Sequence, residues 1–399
     1  MDFSLTGEQK ELQAIARKFA RERVAPRARE LDRVADPAKA WPADLFREAS
    51  KLGLRTFKLP REYGGRGVDT LTELIVLEEL CAGDLAFGSS LAHPWREGMI
   101  LAAATTPDQR EQFLKPFLAD DDGMTALGIT EPHAGSDNAS GYDADLAAGP
   151  RTSAVLDGDH WLINGRKIFI TAGNVAKIML VVARTDPGVP WRRGISLFIM
   201  PTDTPGYRCV DVMDKLGMRP NPNTEVVFEN CRIPAGNLIG RLNGGLEVLA
   251  KYGMSSKVKE GVKSLGCARA AYDEAVAWCK TRVQGGKPII QHQSIRHKLV
   301  DMAGDIEMCR SLCWRAGWAC DHRDAVIEAN PLQTMAKIKT CEMAARVTVQ
   351  ALEMLGGYGI LSFSNTGKYV RDAVTMLHTT GGSDGLRDGL AELLFPSDA

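Results

Sequence analysis

Two short segments hold the residues with the clearest chemical potential. In Leu127-Gly-Ile-Thr-Glu-Pro-His-Ala-Gly-Ser-Asp137, an apolar run over 124–129 reads as a strand that opens into a polar turn around Pro132 and Gly135. Thr130, Ser136 and Asp137 supply hydroxyl and carboxylate groups there, beside free backbone N–H groups. Such a turn offers the donors that a flavin ring edge or a phosphate requires. In Trp161-Leu-Ile-Asn-Gly-Arg-Lys-Ile-Phe-Ile-Thr-Ala-Gly173, Phe169 and Thr171 alternate with Ile168 and Ile170, which sets an aromatic ring and a hydroxyl on one strand face. A plain strand, turn and hairpin would account for either segment alone. Their conjunction is the stronger signal.

These segments need a scaffold, and the composition allows a large one. The chain has 399 residues, 44% apolar and 25% charged, enough for two or three compact units of ordinary globular character. With 49 Lys+Arg against 50 Asp+Glu, no nucleic-acid or acidic-membrane partner is indicated. Residues 1–10 lack a basic start and an apolar stretch, so no targeting signal is expected, and no run reaches the ~18 apolar residues of a membrane span. The expected location is cytoplasmic. Nine scattered cysteines read as reduced thiols, and Cys309 and Cys313 lack the partners a metal site needs, so no metal is expected.

The periodicities divide the chain into a mainly α architecture with a central β domain. Residues 1–120 are helical in pattern. Thr6 and Gln9 form a capping-box signature before Leu12, Ile15, Ala16, Phe19 and Val24, with Pro26 at an exit or kink. A second helix follows through Leu71, Leu74, Ile75, Leu77 and Leu80. Over 121–234 the period becomes two, and strands are predicted at 124–129, 152–156, 160–164, 167–171, 178–183, 195–199 and 224–228, forming a small antiparallel unit. Over 235–399 helices return at 242–282, 293–322, 325–357 and 367–396, the last broken near Gly381-Gly382, giving a four-helix bundle.

With these motifs in this order, the chain resembles the acyl-CoA dehydrogenase family from end to end. Further matching pieces are Leu59-Pro-Arg-Glu-Tyr-Gly-Gly65, Lys215-Leu-Gly-Met-Arg219, Val227-Phe-Glu-Asn-Cys-Arg-Ile-Pro234, Arg282 with Gly286, His292-Gln293, Leu355-Gly-Gly-Tyr-Gly359 and Arg371-Asp372. The resemblance implies FAD held across a subunit boundary in a homodimer or homotetramer, an acyl-CoA thioester as substrate, and an electron-transferring flavoprotein or similar acceptor. It implies that Leu127, Ile129 and Thr130 contact the flavin ring, that Phe169 stacks beside it and that Thr171 bonds near N5. Ser136 is implied at the pyrophosphate or the CoA arm. From the neighbouring subunit, Arg282 is implied at the pyrophosphate, with His292, Gln293, Glu353, Gly357, Gly382 and Asp384 around the adenosine end. Two positions depart from the pattern: Gly285 replaces a common aromatic, and Lys257 replaces the arginine that helps place CoA, leaving a cation without a bidentate fork.

The base that takes the substrate α-proton is the larger departure. Its usual glutamate seat near the C-terminus falls at Thr380, whose hydroxyl is far too weak a base. The alternative seat on the first bundle helix falls at Ser256, next to Lys257. Three replacements are open. Glu260 lies one turn beyond Ser256, where partial burial would raise its pKa. His93, in Leu91-Ala-His-Pro-Trp95, falls where the family lines the acyl pocket. His378 is near the vacant seat and is expected to point away. Thr380-Gly-Gly-Ser-Asp384 also resembles a variant found in the branch with crotonobetainyl-CoA reductase and cyclic acyl-CoA dehydrogenases. Dehydrogenation of an unusual, cyclic or polar acyl-CoA with a relocated base is the leading expectation. An enoyl-CoA reductase or other flavin-assisted reaction is the second, and a non-catalytic flavin-binding subunit partnering an active paralogue is the third.

Overall fold

A computed structural model describes residues 4–135, 146, 148–252, 256–322 and 329–395. The N-terminal helices begin with α1 (Gly7–Phe19), whose start is the expected capping box: Gln9 N donates to Thr6 Oγ1 at 3.2 Å, and Thr6 N donates to Gln9 Oε1 at 3.0 Å. Pro26 does not end the helical path. A π-helical turn over Ala20–Val24 leads into α2 (Ala25–Asp32), where Pro26 occupies a first-turn position that needs no N–H donor. There follow α3 (Ala43–Lys51), α4 (Thr70–Gly83), α5 (Leu85–Leu91), α6 (His93–Ala103), α7 (Pro107–Gln109) and α8 (Lys115–Ala119).

Every residue of α4 except Leu71 and Ala82 is buried, so α4 is enclosed all round, including its carboxylates. Glu73 meets Lys58 at 3.2 Å and Lys259 at 3.0 Å. Glu78 meets Arg269 and Arg310, each at 2.8 Å, and Glu79 meets Arg17 and Arg269, each at 2.7 Å.

The central sheet contains β1 (Thr125–Gly128), β2 (Ser153–Asp157), β3 (His160–Thr171), β4 (Ile178–Arg184), β5 (Ile195–Pro201), β6 (Tyr207–Val212), β7 (Asn223–Pro234) and β8 (Leu238–Ile239), in the order β6-β7-β3-β2-β4-β5-β8 with β1 on β4. The expectation of an antiparallel unit needs correction. Most pairs are antiparallel, but β1 and β2 both run parallel to β4. They are not joined to it by hairpins, so their direction was not set by a tight turn.

The strands expected at 160–164 and 167–171 are one strand with two irregularities. The first is at Gly165, where a Cβ would lie 2.4 Å from Thr152 Oγ1. The edge strand β6 carries Arg208 and Asp211 and buries little, which hid it from a hydrophobic pattern. On β4, Ile178, Leu180 and Val182 face Ile100, Leu101 and Phe117 of the helices, while Met179 and Val181 face Trp161 and Phe228 on the other side. Both faces are covered.

The C-terminal part contains α9 (Gly245–Tyr252), α10 (Ser256–Thr281), a two-residue-strand hairpin β9 (Val283–Gln284) and β10 (Lys287–Pro288), then α11 (Gln293–Asp321), α12 (Ala329–Met354), α13 (Thr366–Met376) and α14 (Ser383–Leu394). The helix expected over 242–282 is thus described as α9 and α10, with 253–255 outside the described residues. The last expected helix breaks where Gly381 and Gly382 take φ 96° and 67°. Within the bundle α10 packs on α12, α11 and α13, and it also packs on α4. All nine cysteines are free; all are buried except Cys209, which is half-buried. Among the described residues no cluster could hold a metal, and no helix is long and apolar enough to cross a membrane.

Replacing Glu78 by Ala strands Arg269 and Arg310 among buried groups and should lower stability by about 3–5 kcal/mol. Urea unfolding would show this as a lower midpoint at unchanged slope.

Candidate functional site

The strand-turn segment and β3 are held together by a buried ion pair. Where β1 ends, Gly128 is tight: a Cβ there would lie 2.6 Å from Met179 Cε and 3.3 Å from Lys167 Cγ. Lys167 Nζ donates to Ile129 O at 3.0 Å and to Glu131 Oε1 at 2.7 Å, and Ile168 N donates to Thr130 O at 2.9 Å. Glu131 also accepts from Arg151 N and Thr152 N, at 2.7 and 2.9 Å. Burial lowers the Lys167 pKa to about 8 against the opposing pull of Glu131. Burial also opposes ionisation of Glu131, but the charge and hydrogen bond of Lys167 outweigh it and bring its value down. Leu127, Ile129 and Thr130 are therefore pinned alongside β3, each half-buried. Ser136 and Asp137 lie outside the described residues.

The second irregularity of β3 is at Phe169. Between the pairs Lys167↔Val226 and Ile170↔Thr224 the strand carries one extra residue, a bulge. Phe169 takes φ 59° and Ala172 φ 61°, a conformation that side chains other than glycine rarely adopt. The result is that Phe169 is 62% exposed while Ile170 is buried. Asn223 Nδ2 donates to Phe169 O at 3.1 Å and lies 3.5 Å from Thr171 Oγ1, steadying the bulge. Simple alternation is therefore interrupted at this bulge, where the backbone is strained.

A separate groove of about 520 Å³ brings together Arg282, Glu353 and Gly357, lined also by Trp278, Gln284 and Tyr358. The Arg282 guanidinium stands 5.1 Å from the Tyr358 ring centre and 6.0 Å from that of Trp278. Among the described residues no carboxylate pairs with it. Beside the groove, His292 Nε2 lies 3.0 Å from Gln284 O, and Gln293 opens α11. Gly382 and Asp384 are elsewhere, at the start of α14, where Asp384 pairs with Arg387 at 3.0 Å.

Of the base candidates, His93 bears electrostatically on Glu260, and His378 stands apart on the surface. Ser256 is the first residue of α10, half-buried, and Lys257 Nζ donates to Thr334 Oγ1 at 3.1 Å. Burial lowers the Lys257 pKa. Glu260 is only 12% exposed and accepts from Lys263 Nζ at 2.6 Å. Its pKa is not raised as expected. Burial pushes it up, but the charge and hydrogen bond of Lys263, then the Thr379 hydroxyl and His93, hold it below the ordinary value. Thr379 precedes Thr380, which is exposed and has φ 50°, an outlier for a β-branched residue.

His93 opens α6. Its pKa is lowered by burial against the opposing Glu97. His378 is exposed. Lys263, Thr379, Arg96 and Glu97 were missed in the sequence, although Lys263 stands three places after Glu260 and Glu97 four after His93.

Replacing Lys167 by Met leaves Glu131 buried without its cation and should cost about 3–5 kcal/mol in denaturant unfolding. The pair also sets an acid response. Glu131 has a folded pKa below its unfolded value of about 4.3, so its contribution is full above that value and is lost as pH falls through the folded one. A pH series of unfolding midpoints should show this loss in the wild type and a smaller one in Lys167→Met.

Three family models cover the chain: acyl-CoA dehydrogenase N-terminal domain over residues 6–121, middle domain over 126–231 and C-terminal domain over 243–395. Cyclohex-1-ene-1-carbonyl-CoA dehydrogenase of Geobacter metallireducens is 36% identical over 380 residues, 94% of this chain and 95% of that protein. The probable acyl-CoA dehydrogenase YngJ of Bacillus subtilis is 34% identical over 378 residues, with the same coverage. The solved butyryl-CoA dehydrogenase of Megasphaera elsdenii superposes with TM-score 0.89 at 30% identity, over 99% of this chain and all of that one. Cradle, groove and bundle thus lie in a chain that belongs to the acyl-CoA dehydrogenase family and is an FAD-dependent flavoenzyme oxidoreductase.

Proposed function

We propose that the protein α,β-dehydrogenates an acyl-CoA thioester with an unusual, polar or cyclic, acyl group, and that Glu260 is the base in place of the seat vacated at Thr380. The observation that carries this reading is the place of Glu260: a carboxylate only 12% exposed, one helical turn beyond Ser256, held below the ordinary glutamate range by Lys263 and, to a smaller extent, by Thr379, the neighbour of the vacant seat.

The residues present fit FAD. Phe169 offers an exposed ring two residues before Thr171, and Arg282 offers a cation over an aromatic platform with no carboxylate partner among the described residues. Bound there, FAD supplies the acceptor for the hydrogen and electron pair leaving the β-carbon, and an electron-transferring flavoprotein or similar carrier would remove those electrons. The protein's own work is positional. Leu127, Ile129, Thr130, Phe169 and Thr171 hold the ring, and Arg282, Glu353, Gly357, His292 and Gln293 hold the dinucleotide end of a neighbouring copy's cofactor. Gly382 and Asp384 close the turn beyond the base. Ser136 is assigned to the CoA arm by resemblance alone.

A second groove, of about 560 Å³, is lined by Arg192, Arg193, Arg241 and Asn243 at the start of α9, which leads to α10. Arg241 pairs with Glu247, which lines the same groove, and the guanidinium groups of Arg192 and Arg193 suit the phosphates of CoA.

Glu260 is deprotonated at neutral pH, as a base must be, and Lys263 keeps it so below the usual glutamate range. Reduction of the enzyme by substrate should accordingly persist into mildly acidic solution, with its acid limb below about pH 4.3. Glu260→Gln should slow anaerobic bleaching of the flavin by a saturating acyl-CoA by about 10²–10⁴-fold, with a smaller effect for His93→Gln. An unchanged rate in Glu260→Gln sinks the assignment.

For the cofactor, Phe169→Ala should leave stability of the apoprotein within about 0.5 kcal/mol, because the ring is exposed. It should weaken FAD retention measured by equilibrium dialysis.

A further inference from the structure

Lys215, half-buried in the loop between β6 and β7, donates to two uncharged oxygens: Asn221 O and, at 2.7 Å, Asn223 Oδ1. Burial pulls its pKa down to about 7, although the charge of Asp372 works the other way. The loop that carries it is held from two sides. Met218 N donates to Asp372 Oδ1 at 2.6 Å, and Arg219 Nε donates to Asp32 O at 2.8 Å. Gly217 lies against α13, where a Cβ would come 2.3 Å from Arg371 O.

What Lys215 determines from this fixed position is the direction of one amide. An ammonium can only donate, so the Asn223 atom it meets is the oxygen. The nitrogen end then faces the bulge of β3, where Nδ2 donates to Phe169 O at 3.1 Å and stands 3.5 Å from Thr171 Oγ1. Phe169 O can only accept, so both ends of the amide agree on its orientation. A hydroxyl oxygen that receives an N–H keeps its own hydrogen for another partner.

We infer that Lys215, acting through Asn223, is a positioning residue for the flavin: it secures the Phe169 bulge and makes the Thr171 hydroxyl a hydrogen donor toward the ring. The inference rests on the placing of FAD along β3 given above and says what orders that face before FAD arrives. The left-handed backbone at Phe169, φ 59°, is unfavourable on its own and persists because its carbonyl has this partner. An isoalloxazine ring carries unprotonated nitrogens that accept hydrogen bonds. A donor already aimed at one of them loses little in ordering when the ring binds.

The test reads FAD binding by equilibrium dialysis and folding by urea unfolding of the apoprotein. Asn223→Asp keeps an oxygen for Lys215 and removes only the N–H end of the amide. Its unfolding midpoint should stay near that of the wild type, while FAD binds about three- to tenfold more weakly. Lys215→Met frees the amide to turn over and should weaken FAD by a similar factor. In a Thr171→Val background the cost of Asn223→Asp should shrink, because part of what it removes is already gone. An undiminished cost there overturns the inference. If Phe169→Ala loosens FAD while Asn223→Asp and Lys215→Met bind it like the wild type, the inference is overturned and the flavin face stands. If Phe169→Ala also binds like the wild type, the flavin face is misplaced and the inference falls with it. Should Lys215→Met fail to fold, Asn223→Asp and its Thr171→Val background decide.

Discussion

The arrangement depends on the carboxylates that α4 carries into the interior. Glu73, Glu78 and Glu79 are buried, and leaving any of them unpaired would cost several kcal/mol. Their cations come from separate elements: Arg17 from α1, Lys259 and Arg269 from α10, and Arg310 from α11. These pairs fix how far α10 slides along α4 and which way it rotates. Gly266 allows the two helices to close, since a Cβ there would lie 2.6 Å from Glu78 O. Lys257, Glu260 and Lys263 are on the same helix as Lys259 and Arg269, so a register set by structural ion pairs also sets where the proposed base stands.

A second set of polar clips joins the bundle to the rest. Lys368 on α13 reaches Asp84 at 2.7 Å and Asp372 at 2.5 Å, and Asp372 accepts from Met218 N at 2.6 Å. Arg371 meets Asp32 at 2.6 Å. The segment leading to Thr379 and Thr380 is thereby fastened to both the N-terminal helices and the sheet domain. Its backbone keeps a left-handed residue at Thr380 although a β-branched side chain disfavours it, which is what a conformation imposed by its surroundings looks like.

Much of this is legible in the residues themselves. The Thr6–Gln9 box, the helical periods, the Gly381-Gly382 break and the two cradle segments all express local rules, and local rules can be read from one chain. The bulge at Phe169 is not local. It follows from the ladder with β7 and the Asn223 side chain, and nothing in Ile168-Phe169-Ile170 announces it. Nor do β1 and β2 announce their parallel pairing with β4. At the candidate base, spacing places Glu260 correctly relative to Ser256, but the direction of its pKa shift depends on how Lys263 and Thr379 are presented to it. Burial alone suggests the wrong sign, because it ignores the cation that arrives with it.

The distribution of thiols has a consequence for the life of the chain. Oxidants and electrophiles attack thiolates that they can reach. Here burial raises the pKa of the Cys81, Cys267 and Cys313 thiols, and that of Cys341 to about 11, inside packed helices. In the folded chain eight of the nine thiols are buried, and Cys209 is half-buried. During synthesis and whenever the bundle opens, the same nine groups are ordinary reactive thiols. Oxidative damage is therefore a hazard of the nascent and unfolding chain, and irreversible loss of this enzyme under oxidative stress follows its rate of opening.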